Sequence, residues 1–276
     1  DTIYSYMKYT NIGSYSTAIA NGMQKVKEYP DPKNTISYAY AITREEWQKI
    51  KEAWTNFTLK FQSCGEIEST QRFEFVGMCV MDVITHYDLL VDENNDPFRD
   101  PPPLQEYMNG WDGELFLESL ELSNNKNVLE IGIGTGRIAV KVAPYCMKLT
   151  GIDISPKTIE RARENLKDYS NICFVCDDFN EYGFVETFDV IYSSLTMMHF
   201  KDKKQVILKV AALLNDGGIF CLSIDKNQSE YIDMGTRKVK IYPDTPDNII
   251  SLIDASSMNV ANVFETDNAY IIVSNK

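Results

Sequence analysis

The sequence predicts an α/β fold: a doubly wound, mostly parallel seven-stranded sheet with an antiparallel last strand, preceded by a helical N-terminal region. After residue 122, short apolar runs alternate with amphipathic helical stretches, as in parallel sheets buried on both faces. The last two apolar runs are joined by a turn too short for a parallel crossover. Before residue 122, apolar residues recur at helical spacing instead. We therefore predict two domains, residues 1–122 and 123–276.

In the N-terminal region, Thr43 and Glu46 form a capping-box pattern that predicts the start of a helix. An aromatic stripe follows at three- and four-residue spacing over residues 47–61, and a second apolar stripe covers residues 73–90. A proline-rich segment at residues 96–103 excludes regular structure. Helical spacing then resumes over residues 104–122, with interruptions around Gly110 and Gly113.

In the C-terminal region, a helix predicted at residues 155–166 begins with Ser155 as N-cap and Pro156 at the first helical position. Further helices are predicted at 203–214 and 246–258. The link at residues 180–187 is too short for a full helix. The predicted strands cover residues 128–131, 149–152, 172–175, 190–192, 219–224, 260–265 and 270–274.

The charge of the chain argues against phosphate-bearing partners. Its 276 residues include 40 acidic and 27 basic side chains, giving a net charge of −13. Residues 1–122 hold 20 acids and 10 bases, so this region carries −10 of the total. Such a field repels nucleic acids and anionic membranes. No apolar run reaches the roughly 18 residues of a spanning helix. We therefore predict neither a nucleic-acid partner nor a membrane partner.

The six cysteines are scattered among apolar residues, which predicts reduced thiols and a cytoplasmic protein. Cys173 and Cys176 form a CxxC pair, but in a strand-like run their side chains face opposite sides. With two distant histidines and no second cysteine pair, we predict no metal site.

The most informative segment is a glycine-rich turn between a predicted strand and helix, which carries Gly132, Gly134 and Gly136. Glycines alone are typical of any tight turn, but here the spacing is G-x-G-x-G and not the G-x-G-x-x-G of dinucleotide sites. Glu130, at the end of the strand, would repel a pyrophosphate and suits a positive charge. Asp153 ends the next strand, where an acid can bind two ribose hydroxyls. A ligand with a ribose and a positive charge but no phosphate is S-adenosylmethionine.

Over residues 127–276 the chain resembles the class I S-adenosylmethionine-dependent methyltransferases, which implies a Rossmann-like methyltransferase fold and S-adenosylhomocysteine as product. No substrate-specific motif follows the fourth predicted strand, where Ser193, Ser194 and Leu195 stand. The residues that the resemblance assigns to the cofactor surround its methionine end (Glu130, Gly132, Gly134, Gly136), its ribose (Asp153), its adenine (Ile154, Asp178, Phe179) and the loop beside it (Ser194, Leu195).

Methyl transfer depends mainly on alignment of the reactants, and a base is needed only if the acceptor must lose a proton. His199 is the candidate base by position, the alternative being a loop histidine that merely packs. His86 fits a core or interface role better. Tyr107 and Trp111 are candidates for a lid over the cofactor, with ordinary core packing as the alternative.

These features predict transfer of a methyl group to an oxygen or nitrogen of a small molecule, in a pocket walled by the N-terminal region. The acidic N-terminal region favours a neutral or cationic acceptor. Methylation of protein or RNA is the alternative, as is a non-catalytic regulatory protein that binds S-adenosylmethionine.

Overall fold

The structure, a computed structural model, describes residues 2–8, 23–30, 36–49, 79–234 and 237–276. The chain divides into two compact units, one formed by Asp1–Val80 with Asp233–Lys238 and the other by Met81–Ile232 with Val239–Lys276. The second unit thus begins upstream of the boundary predicted at residue 122.

The first unit contains an antiparallel sheet where the sequence predicts helices, so the prediction of a helical N-terminal region is wrong for these residues. Strands β1 (Thr2–Lys8), β2 (Gln24–Pro30) and β3 (Ile36–Thr43) pair in the order β1-β3-β2. β3 pairs antiparallel with both neighbours. The strands β1 and β3 are rich in tyrosine, isoleucine and threonine, which favour extended backbone. The helical stripes identified in the sequence begin at residue 47, so the helical prediction had no such support in these strands.

The capping box is confirmed. The Thr43 amide donates to Glu46 Oε2 over 2.8 Å, and the Glu46 amide donates to Thr43 Oγ1 over 3.2 Å. Residues 44–49 are helical. The remainder of the predicted aromatic stripe, residues 50–61, lies outside the described residues.

The second predicted stripe is helical only in its latter part. Val80 lies in strand β4 (Cys79–Met81), and helix α1 (Val83–Asp92) begins after Asp82, whose carboxylate accepts from the Thr85 amide. Residues 73–78 lie outside the described residues. Farther along are helix α2 (Pro102–Met108), a 3-10 turn (Asn109–Trp111) and helix α3 (Gly113–Glu118). Helix α2 begins within the proline-rich segment, so the exclusion of regular structure over residues 96–103 is wrong at its end, because proline is tolerated in the first turn of a helix. The predicted interruptions around Gly110 and Gly113 are confirmed.

The second unit is built on the seven-stranded sheet, with the order β12-β13-β9-β8-β5-β6-β7. Strands β5 to β9 pair in parallel, whereas β13 is antiparallel to both β9 and β12, which confirms the predicted fold class. The strands are β5 (Asn127–Ile131), β6 (Lys148–Asp153), β7 (Ile172–Cys176), β8 (Phe188–Ser194), β9 (Leu214–Asp225), β12 (Asn259–Glu265) and β13 (Ala269–Asn275). Two short strands, β10 (Tyr231–Asp233) and β11 (Arg237–Lys240), form a separate sheet with β4 in the order β10-β11-β4.

Four more helices are α4 (Ala139–Val142), α5 (Pro156–Asn165), α6 (Lys203–Leu213) and α7 (Pro246–Asp254). Helices cover both faces of the large sheet, so its core has two layers. One layer contains apolar residues of α3, α4 and α5 with one face of the strands, and the other contains those of α6 and α7 with the opposite face. No helix separates β7 from β8, as the short link predicts.

The caps predicted for α5 are present: Ser155 Oγ accepts from the Thr158 amide over 3.1 Å, and Pro156 opens the helix. The chain leaves β5 for β6 on one side and returns to β8 on the other side of β5. The carboxyl ends of β5 and β8 therefore form a topological switch point, where sheets of this kind bind ligands.

Candidate functional site

A cavity of about 320 Å³ opens at this switch point. That volume lies at the lower end of the range for small-molecule sites, about 300–1,000 Å³. The ends of β5, β6 and β8 and the segments after β5, β6, β7 and β8 line it, together with residues of α1, of the link that follows α1 and of α2. Its lining residues are Val83, Tyr87, Pro97, Met108, Glu130, Ile131, Gly132, Ile133, Gly134, Thr135, Arg137, Ile138, Ile152, Asp153, Ile154, Asp177, Asp178, Phe179, Ser194, Leu195, Thr196, His199 and Phe200.

The glycine turn shapes the floor of this cavity. Gly132 has φ +78°, and a Cβ atom there would overlap the Thr196 side chain. Gly134 has φ +56°, and a Cβ atom there would meet no protein atom within 4 Å. The space beside Gly134 is therefore cavity, and the turn leaves it free for a ligand. Gly136 lies off the lining and close to Leu166.

Asp153, at the end of β6, holds the glycine turn. Its Oδ2 accepts from the Gly134 amide over 3.0 Å, and its Oδ1 accepts from the Ser155 amide over 3.0 Å. Burial raises the pKa of Asp153, although these backbone hydrogen bonds oppose the change. The next residue, Ile154, also lines the cavity.

Glu130 is the most deeply buried acid on the lining, with 3% of its surface exposed. Its Oε2 accepts from the Tyr192 hydroxyl over 2.8 Å. Burial is the main cause that raises the pKa of Glu130 from 4.5 to about 8; the Tyr192 hydrogen bond and the nearby Arg137 oppose the shift. The ligand-free site thus favours a neutral carboxyl group at this position.

Arg137 and Asp112 form a buried ion pair beside Glu130 that was not predicted from the sequence. The Arg137 guanidinium, which lines the cavity, donates through Nη1 to Asp112 Oδ1 over 3.1 Å and through Nη2 to Asp112 Oδ2. Ser194 Oγ also donates to Asp112 Oδ2, over 3.0 Å. Arg137 directly follows the third glycine, a position that could have marked it as a site residue. Asp112 lies 25 residues away in sequence and gave no signal beyond its place before a helix.

The residues expected at the adenine end follow β7. Asp178 lines the cavity, and its Oδ1 accepts from the Asn180 amide over 2.7 Å. Phe179 is 3% exposed and packs edge-on against Phe200. Asp177, which the sequence analysis did not select, also lines the cavity.

After β8, Leu195 has φ +56°, in the left-handed region that non-glycine residues seldom adopt. Such conformations cost of order 1–3 kcal/mol and concentrate at ligand sites. Ser194, Leu195 and Thr196 all line the cavity.

His199 meets Tyr87 at the cavity. The Tyr87 hydroxyl lies 2.8 Å from His199 Nε2, and within the described part of the chain Nδ1 has no hydrogen-bond partner. Burial lowers the pKa of His199 to about 4. Tyr87 was not selected from the sequence because it belongs to an apolar helical stripe. The next residue on α1, Asp88, lies 2.7 Å from Ser155 Oγ at the start of α5, so α1 contacts α5 beside the cavity.

The structure does not bring Tyr107 or Trp111 into the cavity, although Met108 between them lines it. Their rings contact each other edge-on with centroids 5.2 Å apart. Trp111 packs against the core layer that contains α3 to α5, and its carbonyl accepts from Ser223 Oγ. His86 is buried, with 2% exposed, as expected for a core histidine.

A buried lysine fixes the turn that carries His199. Lys203 Nζ donates to the carbonyls of Met197, Phe200 and Tyr242 over 2.7–2.8 Å. It also lies 2.9 Å from Asp244 Oδ2. One ammonium group thus ties the 3-10 turn Met197–His199 to the segment before α7.

We expect Lys203→Met to lower the free energy of unfolding by about 3–5 kcal/mol, since it leaves Asp244 buried without its counterion. Urea unfolding followed by circular dichroism measures this. The matched control is Lys204→Met, which alters the exposed neighbour on the same helix and is expected to change the free energy by less than about 0.5 kcal/mol. Equal effects of the two substitutions would contradict a role for the buried contacts.

Metal-ion clusters and membrane-spanning helices can be assessed for the part of the chain that the structure describes. No group of three or more histidine, cysteine, aspartate or glutamate side chains is arranged to hold a metal ion there. Nor does that part of the chain contain a helix long and apolar enough to cross a membrane.

Comparison with known sequences identifies relatives for the C-terminal region. Nodulation protein S of Sinorhizobium fredii is 29% identical over 128 residues, 43% of this chain and 59% of that protein. Malonyl-[acyl-carrier protein] O-methyltransferase 1 of Ilyobacter polytropus is 31% identical over 107 residues, 38% of this chain and 40% of that protein. The chain therefore spans less than two thirds of the length of these relatives.

Solved structures show the same fold. The N-methyltransferase NodS of Bradyrhizobium japonicum WM9, in complex with S-adenosyl-L-homocysteine, aligns with a TM-score of 0.52 at 22% identity, over 69% of this chain and 97% of that one. The [4+2]-cyclase SpnF aligns with a TM-score of 0.57 at 15% identity, over 72% and 98%. Residues 122–269 match the sequence family described as "Methyltransferase domain". The chain belongs to this family, within the class I S-adenosylmethionine-dependent methyltransferases.

Proposed function

We propose that this protein transfers the methyl group of S-adenosylmethionine to an oxygen or nitrogen of a small-molecule acceptor. The proposal rests on one cavity that is lined both by the residues predicted for the cofactor and by residues that could contact the acceptor. The glycine turn, Asp153 and Asp178 lie on this cavity, and so do Tyr87 and His199. A donor and an acceptor bound in it would be neighbours.

The charges on the lining fit a cationic cofactor. Four acidic residues line the cavity: Asp153, Asp177, Asp178 and Glu130, the last of which is mostly protonated at pH 7 and ionises when a cation lies beside it. Among the described residues, Arg137 supplies the guanidinium on the lining, and it is already paired with Asp112. A negative potential in an enclosed site favours a sulfonium and opposes a pyrophosphate.

The proposed positions of the cofactor follow from this lining. Asp153 would bind the ribose hydroxyls, Asp178 and the Phe179 amide the adenine, and Glu130 the charged methionine end. The open space beside Gly134 admits the cofactor to the turn. Ile154, Ser194 and Leu195 would complete the walls, and Gly132 and Gly136 would keep the turn closely packed.

When bound, S-adenosylmethionine supplies a methyl group on an already activated leaving group. The protein therefore contributes mainly alignment, which can supply roughly 7–11 kcal/mol of the barrier. Apolar side chains exclude water from much of the lining, among them Val83, Met108, Ile138 and Phe200. Val83 and Met108 belong to the region predicted to form the substrate wall, so residues upstream of 122 would help to select the acceptor.

Several features favour a small acceptor in the cytoplasm over a nucleic acid. The net charge of −13 would repel a phosphate backbone. Four cysteines of the described region, Cys146, Cys173, Cys176 and Cys221, are free thiols, as expected in a reducing compartment. Among the relatives, one is named an O-methyltransferase and one structural neighbour an N-methyltransferase, which supports either atom as acceptor.

The test is to incubate the protein with S-adenosylmethionine labelled in its methyl group and with three separate pools: small metabolites, proteins and RNA. We expect label in the small-molecule fraction and formation of S-adenosylhomocysteine. Calorimetry with S-adenosylhomocysteine measures cofactor binding independently. Binding without label in any pool would indicate a non-catalytic protein, and label confined to protein or RNA would contradict the acceptor class.

A further inference from the structure

We propose that Arg137 binds the carboxylate of the cofactor's methionine end, so that the protein selects cofactors that retain this group. It binds through the edge of its guanidinium that Asp112 leaves free. The inference rests on the proposed function, in which Glu130 meets the positive charge of the methionine end. It adds a residue for the negative charge of that end, and with it a determinant of cofactor specificity that was not predicted from the sequence.

The first step is the order in which the two members of the ion pair lie. The Arg137 side chain is 13% exposed and lines the cavity, whereas the Asp112 side chain is 4% exposed and does not line it. The Asp112 carboxylate also accepts from the Gly113 amide over 2.9 Å and from Ser194 Oγ over 3.0 Å, which fixes its position. The pair therefore presents its cation to the cavity and keeps its anion behind.

The second step is to count the donors of the guanidinium, whose N–H groups form a rigid fork. Asp112 takes one hydrogen from Nη1 and one from Nη2 of Arg137. The N–H group of Nε makes no hydrogen bond within the described part of the chain, and Nε is not one of the fully enclosed polar atoms there. A second carboxylate can therefore bind side-on, through Nε and the remaining hydrogen of Nη2.

The third step concerns the other charged groups on the lining. Three aspartates and Glu130 are acidic, so a carboxylate in this cavity needs a cation beside it. Among the described residues, the basic side chains on the lining are those of Arg137 and His199. Burial lowers the pKa of His199 to about 4, so its ring carries no charge at neutral pH. Arg137 is thus the cation that the carboxylate can use.

The methionine end of the cofactor matches this arrangement. It carries an ammonium and a carboxylate on one carbon atom, so that, unlike a pyrophosphate, it has no net charge. Glu130 Oε1 has no hydrogen-bond partner among the described residues and is not fully enclosed, so it can receive the ammonium as the carboxyl group ionises. Arg137 lies near enough to Glu130 to oppose the rise in its pKa. The two charges of the ligand thus meet neighbouring groups of opposite sign.

The test compares two ligands by titration calorimetry, independently of methyl transfer. One is S-adenosylhomocysteine, and the other is its decarboxylated form, which keeps the amine, the ribose and the adenine. We expect the unaltered protein to bind S-adenosylhomocysteine at least about tenfold more tightly, because the decarboxylated form lacks the charge-assisted hydrogen bonds to Arg137. Equal affinities for the two ligands would overturn the proposal.

Two variants assign the preference for the carboxylate to Arg137. The double variant Asp112→Asn with Arg137→Met removes both charges of the pair, so no buried charge loses its counterion. We expect it to bind the two ligands with affinities within about threefold of each other. Arg137→Lys keeps a positive charge for Asp112 but has no second edge, and we expect it to lose most of the preference. Thermal melts establish which variants are folded.

The matched control is Arg163→Met, which alters an exposed arginine on α5 that does not line the cavity and should keep the full preference. A full preference in the double variant, or in Arg137→Lys where the double variant does not fold, would assign the carboxylate to another group and overturn the proposal. If the preference behaves as expected while labelled methyl reaches none of the three pools, the proposed function is wrong and the assignment of Arg137 stands.

Discussion

Asp153→Ala is expected to weaken the binding of S-adenosylhomocysteine by about two to four orders of magnitude. The proposed hydrogen bonds from two ribose hydroxyls to a carboxylate are each worth about 1.5–3 kcal/mol, and both are lost in the variant. The substitution also removes the acceptor of the Gly134 amide, so the glycine turn loses its attachment to β6. Titration calorimetry gives the dissociation constant.

The control for this variant is Asp168→Ala, which removes the same charge from an exposed position after α5 that does not line the cavity. The affinity of Asp168→Ala for S-adenosylhomocysteine should match that of the unaltered protein. Asp153→Asn separates the two roles of the carboxylate, because it keeps the shape of the side chain and one acceptor oxygen. We expect an intermediate loss. Unchanged affinity in Asp153→Ala would rule out this end of β6 as the ribose site.

Candidate residues for the cofactor could be proposed from the sequence because they are close together along the chain. Strand β5, the glycine turn and Glu130 lie within ten residues, and Asp153 ends the next parallel strand along the chain. Buried parallel strands give continuous apolar runs, so their carboxyl ends can be located without tertiary information. The residues that the resemblance assigns to the cofactor all line the cavity, except Gly136.

The acceptor end could not be predicted in the same way, since it depends on pairs far apart in sequence. Tyr87 and His199 are 112 residues apart, and Ser194 is 82 residues from Asp112. In sequence, Tyr87 is one aromatic residue of an apolar stripe and is indistinguishable from a core position. The sheet of β1 to β3 was missed although residues 31–35, between β2 and β3, contain the turn formers proline, aspartate and asparagine. The helical spacing found from residue 47 onward was extended to the whole N-terminal region.

Glu130 is expected to link cofactor binding to pH. Burial holds the pKa of Glu130 at about 8 in the ligand-free protein, so at pH 7 the carboxyl group is mostly protonated. A cationic ligand beside it stabilises the carboxylate and lowers this pKa, so binding releases a proton. Affinity should therefore rise with pH by up to about tenfold per unit until pH 8, and then level off. Calorimetry in two buffers that differ in ionisation enthalpy counts the proton released.

The variant Glu130→Gln removes the titrating group and keeps an oxygen that can accept from the Tyr192 hydroxyl. We expect weaker binding of S-adenosylmethionine, no proton release and an affinity independent of pH between about 6 and 8. Glu160→Gln, at an exposed position on α5, is the matched control and should behave like the unaltered protein. A pH dependence that persists in Glu130→Gln would assign the proton to another group.

The same carboxyl group should make the ligand-free protein less stable as the pH rises. The folded-state pKa of Glu130, about 8, lies above its ordinary value of 4.5, so between these values the folded state binds more protons than the unfolded state. Stability therefore falls as the pH rises through this window. Glu130→Gln should remove that loss and raise the melting temperature at pH 8 while it weakens cofactor binding. If Glu130→Gln raises stability and lowers affinity for the cofactor, Glu130 serves the ligand and not the fold. Replacement of a purely structural acid would lower stability and affinity together.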